Sequence, residues 1–341
     1  MVTVKIGNTG IISNKNGFGA LPIQRIDSTK AAEILVRAFE GGINFFDTSR
    51  VYSDSEAKIG MALSHVREKI HIATKTKARN EDEFWADLKQ SLQTLKTNYI
   101  DIYQFHNPSF CPKPGDGTGL FEAMLEAKNQ GLIKHIGITN HKIHVVIEAI
   151  ESGLYETIQF PFSYLATEDE VKLVEMCKEN GVGFIAMKSL AGGLINNSKA
   201  AYAYLSLFEN VLPIWGVQKI SELEEFLEYV QNPPVMTPEV IDLIESDKKI
   251  LSGEFCRGCG YCLPCPAEID IPNAARMSLM IRRAPTKGLF GEAWQIKMNK
   301  IEDCIECRHC SDNCPYGLDT PNLLRRNFED YVETIKISSD V

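Results

Sequence analysis

The chain has 341 residues, room for one large domain with an appendage or for two ordinary ones, and enough to bury a full core. Hydrophobic residues at 44% and charged residues at 24% exclude a disordered, collagenous or coiled-coil chain. A formal net charge of -9 argues against nucleic acid or an anionic membrane as the main partner, so no nucleic acid and no membrane are expected, and small molecules and proteins remain. The longest apolar stretches, such as Val211 to Val217, fall far short of the roughly 18 residues of a membrane span, and no signal pattern opens the chain, so a cytoplasmic protein is expected.

In chain order, Val2 to Ser13 alternates weakly around an Asn8-Thr9-Gly10 turn, which predicts a hairpin plugging the bottom of whatever follows. From Phe18 to Val230 short apolar runs alternate with amphipathic stretches. The strand candidates are Gly19–Pro22, Ile43–Phe46, Ile70–Ala73, Ile100–Phe105, His135–Ile138, Thr157–Phe160, Gly183–Met187 and Leu212–Val217. Helical patterns follow them, as with Phe84, Leu88, Leu92 and Leu95 behind an Asn80 cap with Glu83 three residues on. Eight strand-then-helix units with near-continuous apolar strands predict an α/β chain, a closed (β/α)8 TIM barrel rather than an open sheet. The proline- and glycine-rich stretch Asn107 to Gly119 is long for a strand-to-helix loop and predicts a flexible flap over the active face, carrying Cys111 within reach of a substrate. Asn232-Pro233-Pro234 ends the last barrel helix, Thr237 to Ile250 reads as one more helix, and a cysteine-rich region begins at Gly253. The expected division is therefore a barrel over 1–235, a connecting helix over 236–252 and a cysteine-rich domain over 253–341.

Chemistry on such barrels sits at the carboxyl ends of the strands. Strand two ends at Asp47 with Tyr52 five residues later, strand three at Lys75 and strand four at His106. These are an acid, a phenol, an amine and an imidazole. A neighbouring ammonium lowers a phenol's pKa, a role for Lys75 toward Tyr52; Asp47 would pair the buried ammonium, and neutral His106 would orient a carbonyl oxygen. With Gly42-Ile43-Asn44-Phe45-Phe46-Asp47-Thr48, Ser55-Glu56, Ala73-Thr74-Lys75, Gln104-Phe105-His106, Gly137-Ile138-Thr139-Asn140 and Ala186-Met187-Lys188-Ser189-Leu190, the chain resembles the aldo-keto reductase family along its whole barrel. The resemblance implies a tetrad of Asp47, Tyr52, Lys75 and His106, with Tyr52 protonating the substrate carbonyl while a reduced nicotinamide delivers hydride.

No Gly-x-Gly-x-x-Gly follows a strand and no phosphate-binding lysine loop is present, so nucleotide binding falls to the barrel. The resemblance implies that Asn140 and Gln159 hold the nicotinamide carboxamide, that Met187 and Lys188 lie at its ring, that Ser189, Leu190 and Gly192 run along the pyrophosphate, and that the loop from Gly216 to Glu225 reaches the adenosine half. The chain departs from the family at three places: Met187 stands for a stacking tyrosine, Glu222 for the arginine that meets a ribose 2'-phosphate, and Phe226 for an asparagine near the adenine. A carboxylate at Glu222 repels that phosphate, so NAD(H) is expected over NADP(H). A flavin has no supporting motif.

Of the ten cysteines, eight lie between Cys256 and Cys314. They read Cys256-x2-Cys259-x2-Cys262-x2-Cys265-Pro266 and Cys304-x2-Cys307-x2-Cys310-x3-Cys314-Pro315. The second quartet matches the bacterial ferredoxin run, whose fourth cysteine ligates the other cluster, and the first is one residue shorter. Two 4Fe-4S clusters are expected, one on Cys256, Cys259, Cys262 and Cys314 and the other on Cys304, Cys307, Cys310 and Cys265. Paired zinc sites usually carry a longer spacer. The whole resembles the iron-sulfur aldo-keto reductases of anaerobic microbes, a (β/α)8 barrel with a C-terminal α-helical, two-cluster ferredoxin-like domain. The expected partner is a small carbonyl or alcohol substrate. The alternatives are a reductase fed by an external ferredoxin or another electron-transfer protein, with a flavin in the barrel, and a nicotinamide-binding redox sensor with weak catalysis.

Overall fold

A computed structural model describes residues 2–251, 255–283 and 288–339. The expected start of the cysteine-rich domain at Gly253 lies outside the described residues. Two compact units emerge: the barrel runs to Val240, and the second unit begins at Ile241 and also takes in Leu190–Asn197.

In the first unit β1 (Thr3–Lys5) and β2 (Ile12–Asn14) form an antiparallel hairpin. The barrel strands are β3 (Gly17–Gly19), β4 (Phe45–Asp47), β5 (His71–Thr76), β6 (Ile100–His106), β7 (Ile133–Thr139), β8 (Thr157–Pro161), β9 (Gly183–Met187) and β10 (Val211–Gly216). They pair in parallel, each with the next, and β10 closes on β3. The helices around them are α1 (Ser28–Glu40), α2 (Ser55–Leu63), α3 (Glu81–Leu95), α4 (Leu120–Asn129), α5 (Ile143–Ser152), α6 (Glu168–Glu179), α7 (Ser198–Ser206) and α8 (Ile220–Gln231). The closed parallel barrel is the predicted one. Its first strand lies two residues earlier than the sequence pattern suggests, because Pro22 opens a 3-10 turn in place of ending a strand.

Side chains on a strand alternate in direction, and that period places the site. Val4, Ile6 and Ile11 of the hairpin pack with Phe45, Ala73, Ile102, Ile185, Leu212 and Ile214, one inward layer of the barrel. Two residues further along each strand, on the same face, stand Asp47, Lys75, Gln104 and Met187, and after another two His106. Apolar residues thus fill the closed end and polar residues the carboxyl end. The hairpin depends on Gly7, whose φ is +50° and where an added Cβ would lie 2.3 Å from Gly183 N and 2.5 Å from Gly181 O. Gly7→Ala is expected to lower unfolding stability by about 2 kcal/mol or more in urea titration, since neither backbone neighbour can yield; an unchanged midpoint would show that the hairpin does not close the barrel.

Helix α3 begins as expected, with Asn80 Oδ1 accepting from Glu83 N at 3.0 Å, although the Glu83 carboxylate takes Arg79 N at 2.8 Å instead of returning to Asn80. The predicted flap, 107–119, has no regular structure but is held down. Pro108 O accepts from Asn140 Nδ2 at 2.8 Å, Pro112 O from Tyr155 Oη at 2.6 Å and Glu122 Oε1 from Gly115 N at 2.7 Å, while Lys113 pairs with Glu148 at 2.5 Å. Cys111, within this stretch, is buried, which pushes its thiol up to about 11.

The second unit contains α9 (Pro238–Leu251, whose first residues still count with the barrel), α10 (Ile271–Ala274), α11 (Met277–Arg283), α12 (Glu292–Asn299), α13 (His309–Asp312) and α14 (Thr320–Ser339). Its own core joins Ile269, Ile271, Met277, Met298, Leu324 and Tyr331. Tyr331 Oη donates to Leu289 O at 2.6 Å and Asn327 Nδ2 to Ala274 O at 3.0 Å, tying α14 to the segments before it.

Candidate active site and cysteine centres

Asp47 and Lys75 are both buried and joined: Lys75 Nζ donates to Asp47 Oδ1 at 2.7 Å, to Oδ2 at 2.8 Å and to Thr48 O at 2.6 Å. Burial raises the Asp47 carboxyl above its ordinary range against the opposing charge of Lys75, and burial lowers Lys75 against Asp47. Tyr52 stands on the turn after β4, its ring centroid 5.4 Å from Lys75 Nζ. That ring stands nearly perpendicular to the ring of His106, with centroids 5.8 Å apart at 84°. The four side chains therefore meet at one end of the barrel. Their electrostatics differ from the sequence expectation, because burial and then the Asp47 charge raise the Tyr52 phenol above its ordinary value. No lowering by Lys75 offsets these two causes, and its N–H groups point to Asp47 and Thr48. Burial, with Lys75 and then Lys77 adding to it, holds His106 well below its usual range, so its ring is neutral near pH 7.

Among the expected nucleotide contacts, Gln159 belongs to this network: its side chain donates to Asp47, and its Oε1 accepts from Gln104 Nε2 at 2.8 Å. Asn140 Oδ1 accepts from the backbone N–H groups of His141 and Lys142, both at 2.9 Å, and its N–H donates to Pro108 O. Among the described residues one amide hydrogen of each is left over, and the buried Gln104 Oε1 has no partner. Such unspent donors and an orphaned acceptor fit a carboxamide. Met187 accepts a weak bond at Sδ from Thr139 Oγ1 at 3.7 Å, Lys188 adopts φ 54°, and Ser189 Oγ turns back onto Ala186 O at 3.1 Å. Leu190 and Gly192 belong to the second unit, where Gly192 O accepts from Arg276 Nη1 at 3.0 Å. Gly216 ends β10. Glu222 Oε2 accepts from Gln218 N at 3.0 Å and Lys219 N at 3.2 Å, which caps the start of α8 and leaves a carboxylate there. Phe226 is buried and stacks on Trp215 with centroids 4.4 Å apart, a core residue.

Three polar residues at this end escaped the sequence reading as functional candidates. Ser49 contacts His106, Gln104 contacts Gln159, and buried Glu56 accepts from Thr74 Oγ1 at 2.7 Å and Ser91 Oγ at 2.8 Å and pairs with Arg50. Period two along β6 would have found Gln104, two residues from His106; Ser49 carries no such signal.

In the second unit the cysteines surround two cavities. One is lined by Cys256, Cys259, Cys262 and Cys314 together with Cys310; the other is lined by Cys304, Cys307, Cys310 and Cys265 together with Cys262. Each is lined by three thiols of one quartet and the last two of the other, and the fourth cysteine of each quartet, Cys265 or Cys314, lines only the cavity of the opposite quartet. The two loops share a backbone device, because the residues flanking the middle cysteine have left-handed φ in both: Gly258 (+64°) and Gly260 (+84°) around Cys259, Glu306 (+54°) and Arg308 (+58°) around Cys307. That alternation curls each loop around its cavity. Gly258 N also donates to Cys256 Sγ at 3.3 Å, a bond suited to a ligating sulfur. Soft thiols set around a volume fit a multi-atom iron-sulfur cluster.

Residues 255–319 match the 4Fe-4S dicluster domain family. The chain is 26% identical over 288 residues to the uncharacterized oxidoreductase YqkF of Bacillus subtilis (strain 168), covering 80% of this chain and 92% of that protein. It is 35% identical over 168 residues to the methylglyoxal reductase DkgB of Salmonella typhi, covering 46% of this chain and 60% of that one. In fold it is similar to the aldo-keto reductase AKR11C1 from Bacillus halodurans, with a TM-score of 0.64, 24% identity, and coverage of 72% of this chain and 96% of that one. Because residues 15–204, more than half of the sequence and seven of the eight barrel strands, match the aldo/keto reductase family, the chain belongs to that family, as an oxidoreductase with a C-terminal 4Fe-4S domain.

Proposed function

We propose that the protein interconverts a small carbonyl compound and its alcohol, with Tyr52 as the general acid and base and Asp47, Lys75 and His106 as its partners. The observation that carries this reading is the buried Asp47–Lys75 pair seated beside Tyr52 and His106 at the carboxyl ends of three adjacent strands. A nicotinamide dinucleotide bound here supplies the hydride. Asn140 and Gln159 would hold its carboxamide with the amide hydrogens they keep unspent, and Met187 and Lys188 lie on the strand end next to them. Tyr52, kept neutral by burial and by Asp47, holds the proton that a carbonyl oxygen needs on reduction. Neutral His106 orients that oxygen. In the second unit Cys256, Cys259, Cys262 and Cys314 would hold one 4Fe-4S cluster and Cys304, Cys307, Cys310 and Cys265 the other. Such clusters exchange single electrons or brace the fold.

The cysteine-lined cavities favour one further reading, a reductase that draws electrons from an external one-electron carrier such as a ferredoxin. Anaerobic turnover of a panel of aldehydes, ketones and alcohols by the cluster-loaded protein separates the two. Steady NADH oxidation with a carbonyl compound supports the first reading, and turnover only with a reduced carrier protein rejects it. In the same assay NADH is expected to bind more tightly than NADPH, because the family resemblance aligns the Glu222 carboxylate with the arginine that meets a 2'-phosphate, and a carboxylate there would repel it. Glu222→Arg is expected to narrow or reverse the gap. Tighter NADPH binding by the parent protein would show that Glu222 serves only the helix start.

A further inference from the structure

Ser49 lies outside the tetrad and meets two of its members. Beyond β4 the chain continues along β5, with Thr48 N donating to Ala73 O at 2.8 Å and Arg50 N to Lys75 O at 3.0 Å, so the backbone on both sides of Ser49 is fixed. The residue is 1% exposed. Its carbonyl accepts from Tyr52 N at 3.0 Å, and its Oγ lies 2.8 Å from His106 Nδ1. Two other groups reach that hydroxyl: Val51 N at 3.4 Å and Lys75 O at 3.5 Å. A backbone N–H can only donate, so the hydroxyl accepts from Val51. Its own proton then has two acceptors in range, and the ring nitrogen is the closer by 0.7 Å, the difference between 3.5 and 2.8 Å. A neutral imidazole that accepts at Nδ1 carries its proton at Nε2.

We propose that Ser49 is a positioning residue that fixes His106 as the Nε2–H tautomer, so that the ring presents a donor to the substrate's carbonyl oxygen beside the Tyr52 hydroxyl. The proposal rests on the carbonyl-reduction reading for the identity of that oxygen. With the proton at Nδ1 instead, the ring would turn a lone pair toward the oxygen and weaken its binding as negative charge develops on it. Ser49 ties the acid and the imidazole together, since one residue holds the turn of Tyr52 through its carbonyl and the ring through its hydroxyl.

The test is nitrogen NMR of the cluster-loaded protein labelled at histidine, with His106→Asn identifying the His106 signals. The parent is expected to show His106 protonated at Nε2 near pH 7. Ser49→Ala is expected to show a mixture or the Nδ1–H form with kcat lower by roughly tenfold or more, and Ser49→Thr, which keeps the hydroxyl, to retain the parent tautomer and most of its turnover. A proton at Nδ1 in the parent overturns the proposal, even if Ser49→Ala fails to fold. So does a Ser49→Ala protein with tautomer and kcat unchanged. An Nε2–H ring in the parent that is lost in Ser49→Ala, in a protein that reduces no carbonyl compound, upholds control of the tautomer by Ser49 and rejects the reaction instead.

Discussion

Tyr52→Phe is expected to lower carbonyl turnover by roughly 10²-fold or more, the usual range for loss of a general acid and equivalent to about 2.7 kcal/mol of barrier. The substitution removes one oxygen and keeps the ring, so the edge contact with His106 and the approach to Lys75 survive. Cofactor binding should therefore hold at the parent level while kcat falls. Single-turnover and steady-state rates measured on both proteins decide the matter, and a Phe variant that reduces carbonyls at the parent rate removes Tyr52 from the chemistry. The sign of the phenol's shift sharpens the expectation. Its pKa is raised, so it stays protonated across neutral and mildly alkaline pH and is poised to give a proton. Alcohol oxidation needs the opposite state and gains from rising pH.

The second large effect concerns the crossed cysteines. Anaerobically prepared protein is expected to carry about eight irons and eight sulfides per chain, since eight thiolates saturate two cubanes. Cys314 lines the cavity of Cys256, Cys259 and Cys262, distant in sequence, and not that of Cys304 and Cys307, its neighbours along the chain. Cys314→Ala is thus expected to lose about half the iron, from the first cavity, while the second keeps its full set of thiols. Iron analysis together with spectra of Cys314→Ala and of its counterpart Cys265→Ala tests the crossing. Should Cys314→Ala empty only the cavity of Cys304, Cys307 and Cys310, each quartet serves itself.

The parts legible from sequence are those set by local periods. Alternation along a strand places Asp47, Lys75 and His106 on one inward face once Phe45, Ala73 and Ile102 are recognised as core, and parallel pairing brings their ends together. The cysteine loops are legible for a similar reason, because three-residue spacing with left-handed residues beside the middle cysteine is a local backbone property. Tertiary structure alone decided how each side chain spends its hydrogen bonds. Lys75 gives its own to Asp47 and Thr48, while burial and then the Asp47 carboxylate raise a Tyr52 pKa that spacing alone suggested would fall. Glu222 turns onto the start of its helix, Phe226 enters an aromatic stack, and the stretch 107–119 is pinned by Tyr155 and Asn140, residues more than 30 positions away. Leu190–Asn197 joins the second unit although barrel segments flank it on both sides. Ser49 reaches His106 across 57 positions of chain, a distance over which no periodicity in the sequence carries information, because only the closing of the barrel makes the two residues neighbours.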